Sequence, residues 1–236
     1  METFSAKPNE KILVVAPHPD DESIGCGGLL LTFGNQIDVL LVTDGRTAHS
    51  NEITDEKCIL VRQAEFNQAV SQAKVNNHIS LGLPDGKAYL CGKSLRNFDF
   101  SKYSKVFIPN RTEEHIDHRA TNECIRRVLR RKHFQVQVYE YEVWSPLAFP
   151  THYLDISTVF QKKDKLIACY ESQLSIRDYN TMTQGINAYR GVSCHTAYVE
   201  AYELISAKNR RKKIYFKLPV RFQLWIMSHM NKQQRK

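Results

Sequence analysis

The sequence predicts a single α/β domain built on a mostly parallel sheet, and two observations support that class. Short apolar segments rich in branched side chains recur along the chain, and stretches with helical spacing of apolar residues lie between them. Strands that alternate with helices form parallel sheets covered on both faces. A chain of 236 residues, 42% hydrophobic and 25% charged, has the size and composition of one folded domain. We therefore predict a Rossmann-like fold with helices on both faces of the sheet.

The order of elements follows from the same patterns. The run KILVVAP reads as a strand buried on both faces, and Thr54 or Asp55 is available to cap the helix after the second strand. The segment 198–205 is either another helix or a strand-to-helix corner. The predicted strands are 11–17, 37–43, 78–83, 105–109 and 134–144, and the predicted helices are 25–33, 55–74, 113–132 and 158–190.

The domain is predicted to cover residues 1–236, with a basic and aromatic C-terminal extension from about residue 207. Within it, Ile214 to Met230 is apolar and aromatic with two inserted cations. Aromatic stripes are more often packed than exposed, so we expect this segment to pack on the domain or on a second subunit. Peripheral contact of the basic tail with a membrane surface is the alternative.

Net charge, cysteine spacing and the absence of certain segments limit which partners and which compartment we expect. The formal net charge of +8 favours an anionic partner, and a basic but ordinary protein surface is the simpler explanation. No basic motif interleaved with aromatic residues is present, so nucleic-acid binding is not expected. Six scattered cysteines without a CxxC pair fit no disulfide scaffold, and we see no signal peptide and no membrane-spanning run. We expect a cytoplasmic protein.

Polar clusters follow four of the predicted strands. APHPDDE follows the first strand, and the other clusters are 44–46, 84–86 and 110–118. In a parallel sheet, ligands bind outside the carboxyl ends of the strands. All four clusters should therefore lie on one rim of the sheet.

Two of these clusters carry the ligands of a metal site. A hydrolytic zinc site needs three nitrogen or carboxylate ligands and an open position for water, and His18, Asp21 and His118 can supply the ligands. Residues three apart face the same way, so Asp20 points elsewhere and is free to deprotonate a zinc-bound water. The simpler interpretations are that 20–22 is a solvated helix cap and that 115–118 is a polar loop.

Several motifs in order resemble one family. APHPDDE followed by GCGG, then TDG, VRQAE, LGLPDG and EEHIDH, resemble the LmbE-like or PIG-L family of zinc-dependent N-acetylglucosamine de-N-acetylases over residues 11–125. The resemblance implies the PIG-L/LmbE-like fold. It also implies that His18, Asp21 and His118 bind zinc and that Asp20 is the general base.

The resemblance implies further roles around the metal. His115 would stabilise the oxyanion, with Asp117 holding its orientation and raising its pKa. Arg62 and Asp85 match sugar-contacting positions. Many relatives place a glutamate after the TDG-type glycine, whereas this chain has Arg46, which predicts a basic wall suited to an anionic sugar.

The expected reaction is hydrolysis of the acetamide of an N-acetylated amino sugar. One alternative is a related zinc amidase that cuts a non-acetyl amide, and another is a non-catalytic sugar-binding or membrane-binding member of the fold. Zinc is the expected cofactor, and another divalent metal would also fit such ligands. The expected partner is a small N-acetylated sugar conjugate, with or without an anionic group. The sequence leaves open whether the chain forms a homo-oligomer.

Overall fold

The computed structural model describes residues 1–47, 54–131 and 134–205. An eight-stranded sheet with the order β1-β7-β8-β6-β5-β2-β3-β4 lies at its centre. Its strands are β1 (Glu2–Thr3), β2 (Ile12–Ala16), β3 (Ile37–Thr43), β4 (Asn77–Leu83), β5 (Lys105–Pro109), β6 (Gln137–Tyr141), β7 (His152–Asp155) and β8 (Val199–Leu204). The helices are α1 (Asp21–Phe33), α2 (Asp55–Gln72), α3 (Cys91–Ser94), α4 (Ile116–Arg131), α5 (Phe160–Ile167), α6 (Glu171–Leu174) and α7 (Tyr179–Val192).

The predicted fold class is confirmed. Strands β2 to β6 form one parallel block, in which β2 pairs with both β3 and β5. Alternate residues of β2 enter two apolar clusters: Ile12 and Val14 pack into one, Leu13 and Val15 into the other. Helices α1, α2 and α5 cover the first cluster, and α3 and α4 cover the second. A strand covered on both sides must be apolar throughout, as β2 is.

The prediction for residues 198–205 was wrong, because this segment is strand β8. It lies antiparallel between β6 and β7. Glu200 of this strand is buried. Its carboxylate accepts hydrogen bonds from Lys163 Nζ at 2.7 Å and from the Gly28 and Leu29 N–H groups at 2.6 and 2.9 Å. Partners distant in the sequence make a buried carboxylate in a strand tolerable.

Other boundaries also differ from the predicted ones. Helix α1 begins at Asp21 rather than Gly25, β6 is shorter than 134–144, and β1 and β7 were missed. The single helical stretch predicted over 158–190 is three helices, and the last of them has its own N-cap, because the Asp178 side chain accepts from Thr181 N. Helix α2 matches its predicted start, with Thr54 as N-cap.

Helix α1 lies unusually close to the sheet and to α5. A side chain on Gly25 would meet the Tyr141 ring at 2.3 Å, and one on Gly28 would meet Ile156 at 2.3 Å. The small residues of the GCGG motif therefore let the helix approach its neighbours. This packing fixes the position of the helix start, where the predicted base Asp20 and the predicted ligand Asp21 lie.

The predicted C-terminal extension, including Ile214 to Met230, lies outside the described residues. Across 1–47, 54–131 and 134–205, no helix combines the length and the apolar character that crossing a bilayer requires.

Candidate metal-dependent active site

Three predicted ligands converge at the carboxyl edge of the parallel strands. His18 follows β2, Asp21 opens α1, and His118 lies in the first turn of α4. Asp21 Oδ2 is 3.3 Å from His18 Nδ1 and 3.1 Å from His118 Nε2, and the two nitrogens are 3.2 Å apart. In a tetrahedral zinc site with ligand distances of about 2.0–2.1 Å, neighbouring ligands are about 3.3–3.5 Å apart. The three side chains therefore fit one small divalent cation.

The charges around this triangle also favour a cation. Burial lowers the pKa of His18 and His118, but nearby carboxylates outweigh it and raise the two values to about 10 and about 9. Burial would likewise raise the pKa of Asp21, and the two histidines lower it instead. Negative potential stabilises any positive charge placed between these groups. Two further triples that share His18, with His115 and His118 or with Asp85 and Asp117, hold ligand atoms within 4.8 Å.

The acidic residues at the start of α1 are not a solvated cap. Asp20, Asp21 and Glu22 are buried, and the Asp20 side chain makes no capping hydrogen bond. Asp20 has φ 151°, a conformation that costs free energy in a residue other than glycine. Glu22 accepts hydrogen bonds from the Ser23 and Tyr170 hydroxyls, and burial raises its pKa to about 7. Strain and burial together indicate a built site rather than an exposed helix end.

Asp20 faces the cavity beside Arg62. Arg62 Nη2 donates to Asp20 Oδ2 at 3.2 Å, and burial raises the pKa of Asp20 to about 6 although the guanidinium opposes that shift. The Arg62 side chain is buried, and its Nε and Nη1 atoms have no hydrogen-bond partner in the described part of the chain. Arg62 lines the cavity, and these two donors lie buried beneath its surface. Gly45, at φ +71°, passes over this guanidinium, where a Cβ would lie 2.8 Å from Arg62 Nε.

His115 lies next to the triangle, and its surroundings differ from the predicted ones. Its ring centroid is 4.6 Å from that of His18, and its Nδ1 accepts from the Asp117 backbone N–H at 3.2 Å. The Asp117 carboxylate instead accepts from the N–H groups of Gly86 and Ala88 and lies 3.4 Å from His18 Nε2. Burial and the two neighbouring histidines lower the pKa of His115, so the expected rise is outweighed. Asp117 orients His115 through its backbone.

Of the predicted substrate-binding residues Asp85 and Arg46, the structure places only Asp85 at the cavity. Asp85 lines the cavity, but its carboxylate accepts from the backbone N–H groups of Gly45 and Thr47, which leaves it as a brace between two loops. Arg46 pairs with Asp44 through Nε and Nη2 and does not line the cavity. The structure thus brings Asp85 to the site and turns Arg46 toward Asp44.

Glu113 supports His118, a role that sequence reasoning missed. The buried Glu113 carboxylate accepts from the N–H groups of Val143, Trp144 and Ser145. Its Oε2 lies 3.7 Å from His118 Nδ1, too far for a hydrogen bond but close enough for its charge to act on the ring. Metal-binding histidines commonly face a carboxylate on their second nitrogen. The EEHIDH motif contains this residue and was the available signal.

The cavity of the candidate active site, named the catalytic cavity below, has a volume of about 110 Å³. The sequence predicted the cavity wall that the four polar clusters form. The structure brings residues of all four clusters to one rim of the sheet. The remaining wall was missed. It comes from segments after β6, of which ACYESQL at 168–174 resembles the family only weakly and the others carry no motif. That wall consists of Trp144, Gln173 and Tyr179. Trp144 and Tyr179 rings meet edge to face at 5.5 Å, and the Arg177 guanidinium lies 4.8 Å from the Trp144 ring.

Fold and site together define a Rossmann-like α/β protein with a site of two histidines and one carboxylate at the carboxyl edge of its sheet. The family model PIG-L, described as GlcNAc-PI de-N-acetylase, matches residues 13–129. The chain belongs to this PIG-L/LmbE-like family, as its motifs predicted. Comparison with curated protein sequences gave no significant match.

Solved structures share the fold. An N,N'-diacetylchitobiose deacetylase from Pyrococcus horikoshii is 19% identical, with a TM-score of 0.71 over 83% of this chain and 84% of its own. The 4-carboxy-2-hydroxymuconate hydratase from Pseudomonas putida is 17% identical, with a TM-score of 0.65 over 84% of this chain and 96% of its own. A teicoplanin deacetylase in its zinc-inhibited form is 14% identical, with a TM-score of 0.62 over 84% and 99%. At these identities the likeness concerns the fold.

Proposed function

We propose that this protein is a divalent-metal hydrolase that removes the acetyl group from an N-acetylated amino sugar, with zinc held by His18, Asp21 and His118. The observation that carries the proposal is the ligand triangle with separations of 3.1–3.3 Å beside a buried Asp20 that is not part of it. The family description as a de-N-acetylase and the two deacetylases among the structural neighbours support the same reaction.

Each residue has a place in the reaction. A divalent cation in the triangle supplies a Lewis acid that polarises a carbonyl and lowers the pKa of water. Asp20 takes a proton from the attacking water while the oxygen bonds to the acetyl carbon. Because His115 Nδ1 accepts a hydrogen bond, the neutral ring carries its proton on Nε2, which can donate to the developing oxyanion. The C–N bond then breaks, the amine takes up the proton, and acetate leaves.

The cavity supports an amino sugar as the group that is bound. Its lining includes Asp85 and Arg62 together with the Trp144 and Tyr179 rings. Aromatic faces suit the apolar faces of a sugar ring, and polar side chains fix its hydroxyls. In this proposal Arg62 and Asp85 contact the sugar or shape the cavity that holds it. Arg46 has no direct contact with the sugar and stabilises the loop after β3 by pairing with Asp44.

The test is acetate release under controlled metal loading. Protein stripped with a chelator is titrated with zinc and, separately, with other divalent metals, and acetate is measured from N-acetylglucosamine conjugates. We expect activity to rise until one metal is bound per chain. Because a neighbour is described in a zinc-inhibited form, the titration continues beyond one equivalent. Release of a larger acid from other amides would identify the amidase alternative, and tight sugar binding without hydrolysis would identify the binding module.

His115→Ala is expected to reduce kcat by about a hundredfold to a thousandfold, because one oxyanion donor is lost. The substrate KM and the metal content should change little, since the ring is not in the ligand triangle. His78→Ala, which removes an exposed imidazole on β4, is the matched control. A variant that keeps at least half of the wild-type kcat would exclude His115 as the donor.

The proposed setting is the cytoplasm. The state of the cysteines supports this setting. All six lie within the described residues, and none of them forms a disulfide. Unpaired cysteines are typical of reducing compartments. Cell fractionation tests this, and recovery of the protein from an oxidising compartment would contradict it.

A further inference from the structure

A second, larger cavity adjoins the catalytic one. It has a volume of about 640 Å³, against about 110 Å³ for the catalytic cavity. Pockets for small ligands usually measure about 300–1,000 Å³; the volume of the catalytic cavity lies below this range, and that of the second cavity lies within it. We call the larger one the arginine cleft, and its charged and apolar lining includes Arg111, Arg119, Arg126, Arg130, Tyr89 and Ile116.

Helix α4 builds the cleft with one face. Arg119, Arg126 and Arg130 recur at helical spacing on that face, whereas Ile125 and Leu129 on the other face are buried in the core. The basic run of this helix is therefore divided between a cavity wall and solvent, and Arg131 does not line the cleft. A positive helix face that bounds a concave space differs from the ordinary solvated surface that composition alone suggested.

Three of the four guanidinium groups have a partner that holds them in place. Arg119 donates to the backbone carbonyl of Glu113, Arg130 Nε donates to the carbonyl of Arg126, and Arg126 lies 3.6 Å from Glu140. A guanidinium has five N–H donors, so contacts of this kind fix a side chain without exhausting it.

The acidic residues of the cleft do not neutralise it. The lining also includes two carboxylates, Glu123 and Asp117. Glu123 pairs with Arg127, outside the lining, and the Asp117 carboxylate accepts backbone N–H groups. Glu140 also compensates Arg126 from outside the lining. The remaining three arginines still outnumber the engaged carboxylates, so the cleft is positive.

The two cavities share one wall. Gly86 and Asp117 line the cleft, whereas their neighbours Asp85 and His115 line the catalytic cavity. The Asp117 carboxylate lies 3.4 Å from His18. A ligand with its acetamide at the metal ligands can therefore extend past the turn after β4 into the cleft.

We infer that the arginine cleft binds a multiply charged oxyanion of the phosphate-ester class, carried by the part of the substrate that extends beyond the acetamido sugar. The inference rests on the proposed function for the position of the acetamide. Several arginines bind phosphate oxygens bidentately, which suits a phosphate or diphosphate better than a single carboxylate. The exposed ring of Tyr89 on the cleft wall offers a surface for a group beyond the phosphates.

The experiment compares one neutral substrate with two phosphate-bearing substrates, using zinc-loaded full-length protein. They are methyl N-acetylglucosaminide, N-acetylglucosamine 1-phosphate and UDP-N-acetylglucosamine. We expect kcat/KM to increase by about tenfold or more from the neutral to the charged substrates, and this gain to fall as salt is added. Arg111→Gln and Arg130→Gln should each lower kcat/KM about tenfold for the charged substrates. For the neutral substrate, kcat/KM should stay within about twofold of wild type. Arg131→Gln, an equal loss of charge outside the cleft, should leave all three unchanged.

The outcomes separate the inference from the proposed function. Equal kcat/KM for neutral and charged substrates would overturn the inference that the arginine cleft binds phosphate. Equal losses of kcat/KM in Arg130→Gln and Arg131→Gln would do the same. Neither result would contradict the proposed deacetylase function. No acetate from any substrate would overturn the proposed function. In that case calorimetric titration with N-acetylglucosamine 1-phosphate decides the cleft by itself: weaker binding in Arg130→Gln alone supports it, and unchanged binding overturns it.

Discussion

Asp20→Asn is expected to lower kcat by a factor on the order of 10² to 10⁴, the usual contribution of a positioned general base. The amide keeps the shape of the side chain but cannot accept the proton of the attacking water. Asp20 is outside the ligand triangle, so metal content should stay at the wild-type level. Within the described part of the chain, the Asp20 side chain hydrogen-bonds to Arg62, which limits what else the change disturbs.

The measurement combines kcat, KM and metal content. Asp155→Asn makes the same chemical change at an exposed position on β7 and should retain wild-type kinetics. Loss of metal from Asp20→Asn would show that Asp20 is a ligand rather than a base. A kcat within tenfold of wild type with metal bound would show that another group takes the proton.

Glu200→Ala is expected to destabilise the protein by about 3–5 kcal/mol, because it leaves a buried ammonium without its counter-ion. The side chains of Lys163 and Glu200 are 0% and 1% exposed, and Lys163 Nζ is 2.7 Å from the carboxylate. The same carboxylate accepts from Gly28 N and Leu29 N in α1 and from the Tyr202 hydroxyl. The change thus removes the partner of several buried groups at once.

Urea unfolding gives the free energy directly. Glu171→Ala removes an exposed carboxylate in the short helix α6 and should cost less than about 0.5 kcal/mol. Combining Lys163→Met with Glu200→Ala removes the stranded charge, so the double variant should be more stable than Glu200→Ala alone. If Glu200→Ala costs less than about 1 kcal/mol, the pair does not anchor α1 as described.

The sequence predicted those features that local pattern and strand direction determine. Branched apolar runs identified the central strands, and their parallel order placed the polar clusters on one rim. The helical offset of three between His18 and Asp21 indicated a shared ion, and the structure puts their ligand atoms 3.3 Å apart. Each of these inferences needed only neighbouring residues and the direction of a strand.

The rest depended on partners that are far apart in the chain. Strand β8 was predicted as a helix or a strand-to-helix corner, and its buried Glu200 depends on Lys163 and on N–H groups of α1, which are distant in the chain. The aromatic wall of the cavity comes from Trp144 and Tyr179, which carry no motif. Arg46 was expected at the pocket, but Asp44, two residues before it, is the nearer partner for its guanidinium.

The glycine after β3 illustrates how narrowly this rim tolerates sequence change. Gly45 combines φ +71° with a Cβ position only 2.8 Å from Arg62 Nε and 3.1 Å from Pro19 Cδ. Any larger residue would have to push aside the guanidinium that contacts Asp20 or the proline that precedes it. Position 45 touches no reacting atom, yet the residues it can accept are limited because it packs against the arginine that contacts the proposed base.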